Sequence, residues 1–270
     1  MKTGKTNSHI LPYVIYTYGL FILLLLIFGG LATTLLGGTP SVMRWVTVIT
    51  AWTPTYVFLL MFKRLYPNST IREFYKKSFF YKLNIRLLTV TTLIQMLIFI
   101  SGVYLISIQK SITAISLLDL SFLTIMLALF FTLIQGATGE ETGWRGYLLP
   151  EIEKKFGVIK GIFIVSLIWS FWHTPIWFLN TEYTGMLLLK YIVVFVICIT
   201  SLGIIIGICY YLCKNLLVPI WIHFIFNFLG EMFKGNLIDL VTWYAVFYFI
   251  MAMVFLILFK VGFNFLDTKR

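Results

Sequence analysis

Charged side chains are scarce in this sequence of 270 residues. Only 11% of residues are charged, 60% are hydrophobic, and the mean hydropathy is +0.95. A water-soluble domain needs far more polar surface, so this composition excludes one. Long apolar runs instead predict helices that cross about 30 Å of hydrocarbon at about 1.5 Å per residue. The sequence therefore predicts an all-α fold, a polytopic membrane protein built as a helix bundle.

About eight apolar runs are long enough to be transmembrane helices. The predicted spans lie near residues 11–36, 46–61, 87–106, 118–134, 162–178, 186–211, 216–229 and 240–259. We expect the fourth span to continue through Glu140 and Glu141, because no proline intervenes before Pro150. Two connecting segments, 66–82 and 147–157, mix apolar with charged residues and predict helices on the cytoplasmic surface.

Acidic residues are few, at 10 against 21 Lys and Arg, which gives a net charge of +11. With both termini in the cytoplasm, all but four of the 21 basic residues fall on the cytoplasmic side. The four exceptions are Arg44, Lys110, Lys190 and Lys234. This is the asymmetry that the positive-inside rule describes, so we expect cytoplasmic termini in a bacterial plasma membrane. Nucleic-acid binding is not expected, because the chain offers no basic soluble face.

Cysteine and histidine are also scarce, at three residues each. The cysteines all fall on or just after the predicted sixth helix, where helix geometry disfavours a disulfide, and we interpret them as small buried hydrophobic residues. Two of the histidines, His173 and His223, fall inside apolar runs. Because ionisable side chains are costly there, each of them is a candidate functional residue.

Two adjacent glutamates, Glu140 and Glu141, end the fourth apolar run, and Arg145 follows one turn later. On a helix, Glu141 and Arg145 face each other and form an ion pair, which lowers the cost of both charges. Glu140 is rotated by about 100° from its neighbour, so it can face the bundle interior as a general base. The alternative interpretation is that both glutamates sit at the cytoplasmic interface as ion-paired groups.

Polar partners for Glu140 come from two further predicted helices. His173 lies deep in the fifth span, where Pro175 predicts a kink, while His223 and Asn227 share one face of the seventh. A lone histidine in a membrane helix often does no more than hydrogen-bond to a neighbouring helix. An acid, two histidines and an amide from three helices together favour a reaction centre.

These residues resemble the three-motif signature of the CPBP intramembrane peptidases, the Abi/CAAX-protease and bacteriocin-processing family. The motifs are Glu140-Glu141-x-x-x-Arg145, Trp169-x-x-x-His173 and His223-x-x-x-Asn227. Trp169 stands where many members of the family have Phe. The resemblance runs from about residue 118 to 229, so we divide one integral membrane domain into three parts. Helices without a motif occupy 1–117, a catalytic core occupies 118–230, and a last helix and tail occupy 231–270.

The resemblance implies a glutamate-dependent peptidase whose active site opens to the cytosol. Glu140 with His173 would activate the attacking water, while His223 with Asn227 would stabilise the oxyanion. The Glu141-Arg145 pair would hold the motif in shape. The implied partners are the lipid bilayer and a substrate that is a membrane-associated peptide or a lipidated protein, including prenylated CAAX-type peptides.

Three alternatives stay open at this point. A small-solute transporter would also bury Glu and His, but usually shows inverted repeats, and the two halves of the sequence share none. A non-catalytic immunity or scaffold protein would have the same fold. A zinc peptidase would use Glu140, His173 and His223 as ligands, although the helical H-E-x-x-H pattern is absent. The sequence requires no cofactor, and zinc is the one that it leaves open.

Overall fold

A computed structural model describes residues 9–179 and 183–262. Within these ranges the chain forms helices and no strand, apart from one isolated bridge between Leu118 and Phe233, so the all-α prediction is confirmed. The main helices are α1 (Ile10–Leu36), α2 (Pro40–Leu65), α3 (Ile71–Ser78), α4 (Ile85–Lys110), α5 (Phe122–Phe156), α6 (Val158–Phe178), α7 (Gly185–Cys213), α8 (Leu217–Glu231) and α9 (Leu237–Lys260).

Seven of the helices in the described residues are long and apolar enough to cross a membrane, namely all except α3 and α8. The seventh predicted span, 216–229, forms α8, which has only 15 residues. Its length of about 22 Å falls short of the roughly 30 Å of a hydrocarbon core. The prediction of about eight spans thus becomes seven full spans and one short helix, which packs against α4, α5 and α7. The chain is an integral membrane protein.

The centre of the bundle is α7, whose most apolar 18-residue stretch is 67% buried, against 11% for α1. Two glycines let α6 approach it closely. A Cβ atom on Gly203 would lie 2.6 Å from Ser166 Oγ, and one on Gly207 would lie 2.7 Å from Ile162 Cγ2. The G-x-x-x-G spacing of these two glycines thus allows α6 and α7 to pack closely.

Helix α2 is broken where α5 passes it. Its first half ends at Ala51 and its second half begins at Thr53, just before Pro54, which cannot donate the backbone hydrogen bond that a continuous helix needs. The break leaves Trp52 between the two halves. The Trp52 indole donates to the backbone carbonyl of Ile134 on α5 at 2.7 Å. The break in α2 therefore places a hydrogen-bond donor against α5.

The fourth predicted span forms α5, which continues through Glu140 and Glu141 as predicted, but not as a regular α-helix. Leu133–Ala137 and Thr142–Leu148 are π-helical, and only Thr138–Glu141 between them is α-helical. A π segment widens the helix and leaves carbonyl groups without their usual partners, and such segments are frequent at functional sites. The Ile134 carbonyl that accepts from Trp52 lies in the first of these π segments.

The basic segment after α2 forms the surface helix α3, which begins with a capping box. Thr70 Oγ1 accepts from the backbone N–H of Glu73 at 3.2 Å, and the Glu73 carboxylate accepts from the backbone N–H of Thr70 at 2.8 Å. These bonds lower the pKa of Glu73. The aromatic side of α3 lies on α5, where the Tyr75 hydroxyl contacts Thr142 Oγ1 at 3.4 Å. The surface carrying Lys76 and Lys77 is exposed.

The predicted location of both termini rests partly on Lys2, Lys5, Lys269 and Arg270, which lie outside the described residues. Orientation in the membrane therefore stays a prediction. The two ends of the bundle are distinguished by their charges. We call the end with Lys76, Lys77 and Lys154 the lysine end, and the end where Arg44 pairs with Glu231 the Arg44 end.

Candidate active site

Polar side chains of α5 and α8 converge over Gly136. A Cβ atom built on this glycine would lie 3.0 Å from Glu140 Oε1, and 3.1 Å from both Asn227 Nδ2 and His223 Nε2. Only glycine leaves this space free, because any side chain would fill it. A carboxylate, an imidazole and an amide are thus held around one small volume, within reach of a single water molecule or a single reacting oxygen.

Glu140 is buried, with 4% of its surface exposed, and its two carboxylate oxygens have different surroundings. Oε2 accepts a hydrogen bond of 2.6 Å from the indole N–H of Trp169 on α6. Oε1 faces His223 and Asn227 above Gly136. The predicted inward orientation of Glu140 is confirmed, and one of its oxygens stays open to a reacting group.

Glu141 is fully buried and forms part of a continuous charged chain. Arg145 Nη1 donates to both of its carboxylate oxygens, at 2.9 and 3.0 Å, so the predicted contact within α5 is confirmed. Glu141 Oε1 also lies 2.9 Å from Nδ1 of His223 on α8. Because a carboxylate only accepts, this Nδ1 carries a proton and the ring turns Nε2 toward Gly136. Glu141 therefore fixes the orientation of a histidine on another helix.

His173 is held at a break in α6. The helix ends at Trp172 and resumes at Thr174, as expected from Pro175. His173 Nδ1 lies 2.9 Å from the backbone carbonyl of Trp169, which only accepts, so Nδ1 carries the proton and Nε2 has the free lone pair. In both histidines, Nδ1 is therefore the nitrogen that bonds to the protein.

Two further glycines of α5 let other helices close behind the site. A Cβ atom on Gly139 would lie 2.7 Å from the Trp52 ring, and one on Gly143 would lie 2.3 Å from the hydroxyl of Tyr13. That hydroxyl donates to the carbonyl of Pro54 at 2.9 Å. Gly139 and Gly143 therefore allow α1 and α2 to pack closely against the turn of α5 that carries Glu140 and Glu141. All residues from 139 to 149 are buried.

The site opens into two adjoining cavities. Glu140, His173, His223 and Asn227 line one of about 200 Å³. A larger one of about 390 Å³ shares with it the wall formed by Gln135, Phe195, Phe226 and Asn227. Most of the larger cavity is aliphatic or aromatic, so an extended apolar segment can lie beside the polar groups.

The larger cavity extends along α8 to Glu231 and Leu237, toward the Arg44 end. On the lysine side, the buried segment 139–149 covers the glutamates. Under the orientation predicted from the basic residues, this cavity faces away from the cytoplasm. The cytosolic opening implied by the family resemblance therefore disagrees with the predicted orientation.

The zinc alternative requires Glu140, His173 and His223 to share one ion. Among the described residues, no group of three or more His, Cys, Asp or Glu side chains is placed to hold a metal. Over Gly136 the third group beside Glu140 and His223 is the amide nitrogen of Asn227, which is a donor rather than a ligand. The residues as arranged do not fit a three-ligand zinc site, and we derive no step through a metal.

Three contributions were missed by sequence reasoning. They are the Trp169 indole on Glu140, the bond between His223 and Glu141, and the Trp52 support behind α5. The first had a signal, because an indole N–H four residues before a motif histidine needs a buried acceptor. The other two depend on how the helices are rotated against each other, which spacing along one helix does not specify.

Two comparisons with known proteins bear on this arrangement. Residues 121–229, which include all three motifs, match the family model of the type II CAAX prenyl endopeptidases that are Rce1-like. A protein of Methanococcus maripaludis named "CAAX prenyl protease 2" is 31% identical over 169 residues. That alignment covers 58% of this chain and 62% of the relative, so the chain matches less than two thirds of the relative's length.

Proposed function

We propose that this chain is an intramembrane endopeptidase of the CAAX protease family, and that it hydrolyses a peptide bond by glutamate-activated water. One observation carries the proposal: Glu140, His223 and Asn227 close over Gly136, beside a cavity with apolar walls. Peptide hydrolysis needs a base, room for a water molecule, and donors that face the developing oxyanion. Glu140 can serve as the base, the space over Gly136 can hold the water molecule, and His223 and Asn227 can serve as the donors.

The proposed reaction begins when a water molecule transfers a proton to Glu140 Oε1 as its oxygen attacks the peptide carbonyl carbon. The carbonyl electron pair moves onto the carbonyl oxygen, which becomes an oxyanion beside His223 and Asn227. When the intermediate collapses, the carbon–nitrogen bond breaks and the proton held by Glu140 moves to the leaving nitrogen. The products are a new carboxylic acid, which then loses its remaining proton to solvent, and a new amine, and Glu140 returns to its starting state.

The oxyanion role assigned to His223 sets its protonation state. Its Nδ1 donates to Glu141, so Nε2 can also donate only when the ring carries both protons. Glu141 supplies the opposite charge next to that imidazolium, and Arg145 supplies a second donor to the same carboxylate. The charges of Glu140, Glu141, Arg145 and His223 then sum to zero in the buried site.

His173 has the complementary role in the proposal. Its Nδ1 bonds to a neutral carbonyl, so Nε2 is an acceptor in the same cavity as Glu140. We assign it to orient the attacking water and to share its proton with Glu140. A histidine with a carboxylate partner suits the donor role, and a histidine with a carbonyl partner suits the acceptor role.

The proposed substrate is a membrane-associated peptide, with prenylated CAAX-type peptides as the first class to test. The name of the archaeal relative indicates this class, and the apolar cavity beside Asn227 supports it. Purified protein in lipid nanodiscs would receive one CAAX-type peptide in farnesylated and unmodified forms, with products read by mass spectrometry. We expect wild type to release a C-terminal fragment and Glu140→Gln to release none. Equal cleavage by both proteins would refute the proposal.

The same assay addresses the alternatives. A membrane peptidome that is identical in cells with wild type and with Glu140→Gln would favour a non-catalytic scaffold or immunity protein. Wild type stripped with a chelator should keep its activity, because the proposed steps use only side chains and water. Complete loss on stripping, restored by stoichiometric zinc, would make the histidines ligands and overturn the oxyanion role of His223.

We also propose that both termini are cytoplasmic, with the lysine end facing the cytoplasm of a bacterial cell. The support is the uneven distribution of Lys and Arg between the two ends. Single cysteines at Thr113 and Tyr183 should react with an impermeant reagent from outside, and one at Lys76 only from inside. Labelling of Tyr183→Cys from the cytoplasm alone would reverse the orientation, and the larger cavity would then face the cytosol.

A further inference from the structure

We infer that Trp169 is a positioning residue for Glu140 and acts through its indole N–H. The inference rests on the proposed function, since it assigns a role within the same site. Trp169 is 1% exposed, and its N–H donates to Glu140 Oε2 at 2.6 Å. This is the one side-chain hydrogen bond that Glu140 makes among the described residues.

The hydrogen bond decides which way the carboxylate faces. The last torsion of a glutamate side chain is broad and nearly two-fold, so the torsion alone does not hold either oxygen in place. The bond from Trp169 holds Oε2, which leaves Oε1 beside His223 and Asn227 over Gly136. Without that donor, the carboxylate can rotate and lose its alignment with the other two groups.

The rest of Trp169 joins the two halves of the site. Arg145 Cζ lies 4.3 Å from the centre of a Trp169 ring, and the backbone carbonyl of Trp169 accepts from His173 Nδ1 at 2.9 Å. The ring also meets the His223 ring edge to face, with centres 5.1 Å apart. Trp169 therefore contacts Glu140, both histidines and Arg145. A variant that tests its N–H must retain an aromatic ring, so that these packing contacts are not lost as well.

Phenylalanine is the natural aromatic residue that retains a ring of similar character but has no N–H. In this chain the difference is chemically important, because a phenylalanine would leave Oε2 of a buried carboxylate without a donor. Trp169→Phe is therefore the informative variant: it removes the N–H and retains an aromatic ring under Arg145. The backbone bond to His173 is unaffected by the substitution.

Trp172 provides a matched control on the same helix, because it lines the same small cavity and its ring centre lies 4.9 Å from that of His173. It is also 1% exposed, and its indole nitrogen is buried without a hydrogen-bond partner among the described residues. With a cleaved peptide as substrate, we expect Trp169→Phe to lower kcat by about 10-fold to 100-fold, the loss expected from misplacing a reacting group by about 1 Å. KM should change little, because Trp169 does not line the larger apolar cavity proposed to hold the substrate. Trp172→Phe should change kcat far less.

Equal losses of kcat in the two variants would indicate general packing and overturn the inference. So would a loss in Trp169→Phe that appears only in KM, since the indole would then act on substrate binding. Thermal unfolding of both variants, measured in the same detergent, checks that each is folded before kinetics are compared.

An arm of the experiment that needs no peptidase activity separates this inference from the proposed function. The chain has eight tryptophans, so ¹⁵N-indole labelling gives a small set of N–H resonances, and Trp169→Phe identifies one of them. Bonds to a charged acceptor are shorter and stronger than bonds to a neutral one, so Glu140→Gln should shift the Trp169 resonance upfield more than any other. A Trp169 resonance whose chemical shift does not change in Glu140→Gln would refute the contact, whether or not the chain cleaves peptides.

Discussion

Glu140 and Glu141 are neighbours on α5, and both are buried, yet their surroundings differ in kind. Both oxygens of Glu141 accept from Arg145, and one also meets His223. Glu140 has a donor on one oxygen only, and its other oxygen faces a cavity. Burial therefore does not distinguish the carboxylate that we propose is structural from the one that we propose reacts. The difference is whether protein groups donate hydrogen bonds to both carboxylate oxygens or to only one.

The largest effect should come from the open carboxylate. Glu140→Gln is nearly isosteric, and its amide oxygen can still accept from Trp169, so we expect normal accumulation and folding. Peptide cleavage should fall to background, because an amide cannot accept the proton of the attacking water. Product mass spectrometry and thermal unfolding on the same preparation give both readouts. An unfolded Glu140→Gln protein would reverse the roles assigned to the two glutamates.

Removing the occupied carboxylate should act on stability first. Glu141→Gln retains an acceptor for His223 but leaves the fully buried guanidinium of Arg145 without its counter-charge. Breaking a buried ion pair from one side costs about 3–5 kcal/mol, so we expect a lower melting temperature and less protein in the membrane. A Glu141→Gln protein that melts like wild type but is inactive would contradict a structural role.

The oxyanion donor should matter less than the base. Asn227 has no charge and no basic nitrogen, so its amide can contribute only hydrogen bonds. Losing one oxyanion donor costs about 2.7–4 kcal/mol, or about 10²–10³ in turnover. Asn227→Ala should therefore retain weak activity that is measurable above Glu140→Gln. Activity equal to wild type would remove Asn227 from the mechanism.

The smallest effect is expected for an exposed pair of similar spacing on the same helix. Lys154 Nζ lies 2.5 Å from Glu151 Oε1, but the lysine side chain is 70% exposed. Solvent-exposed pairs contribute about 1 kcal/mol or less, so Lys154→Gln should leave the melting temperature nearly unchanged. A loss as large as that of Glu141→Gln would mean that burial does not explain the difference between the pairs.

Much of this arrangement was predictable from spacing along single helices. The apolar runs predicted the spans, four-residue spacing predicted the contact of Glu141 with Arg145, and Pro175 predicted the break beside His173. Each of these follows from the geometry of one helix and needs no knowledge of its neighbours. The predicted bounds of α8, 216–229, were close to the observed Leu217–Glu231, but a run of that length is too short to count as a full span.

The cross-helix contacts were not predictable in this way. The bond between His223 and Glu141 and the bond between Trp169 and Glu140 depend on the rotation of α5, and two π segments set that rotation. Extra residues in a turn change which side chains face inward, and no sequence pattern that we used reports them. Gly139 then allows Trp52 to brace the widened turn, which is visible only once the helices are packed.

The central claim is that water, activated by Glu140, attacks the peptide bond directly. The most direct test is a single turnover in H₂¹⁸O, with enzyme in excess over a cleavable peptide and the product analysed by mass spectrometry. The account predicts one ¹⁸O atom in the new carboxylate from the first turnover, because the attacking oxygen comes from solvent. An unlabelled first-turnover product would contradict it, since the oxygen would then have come from a carboxylate of the protein acting as the nucleophile.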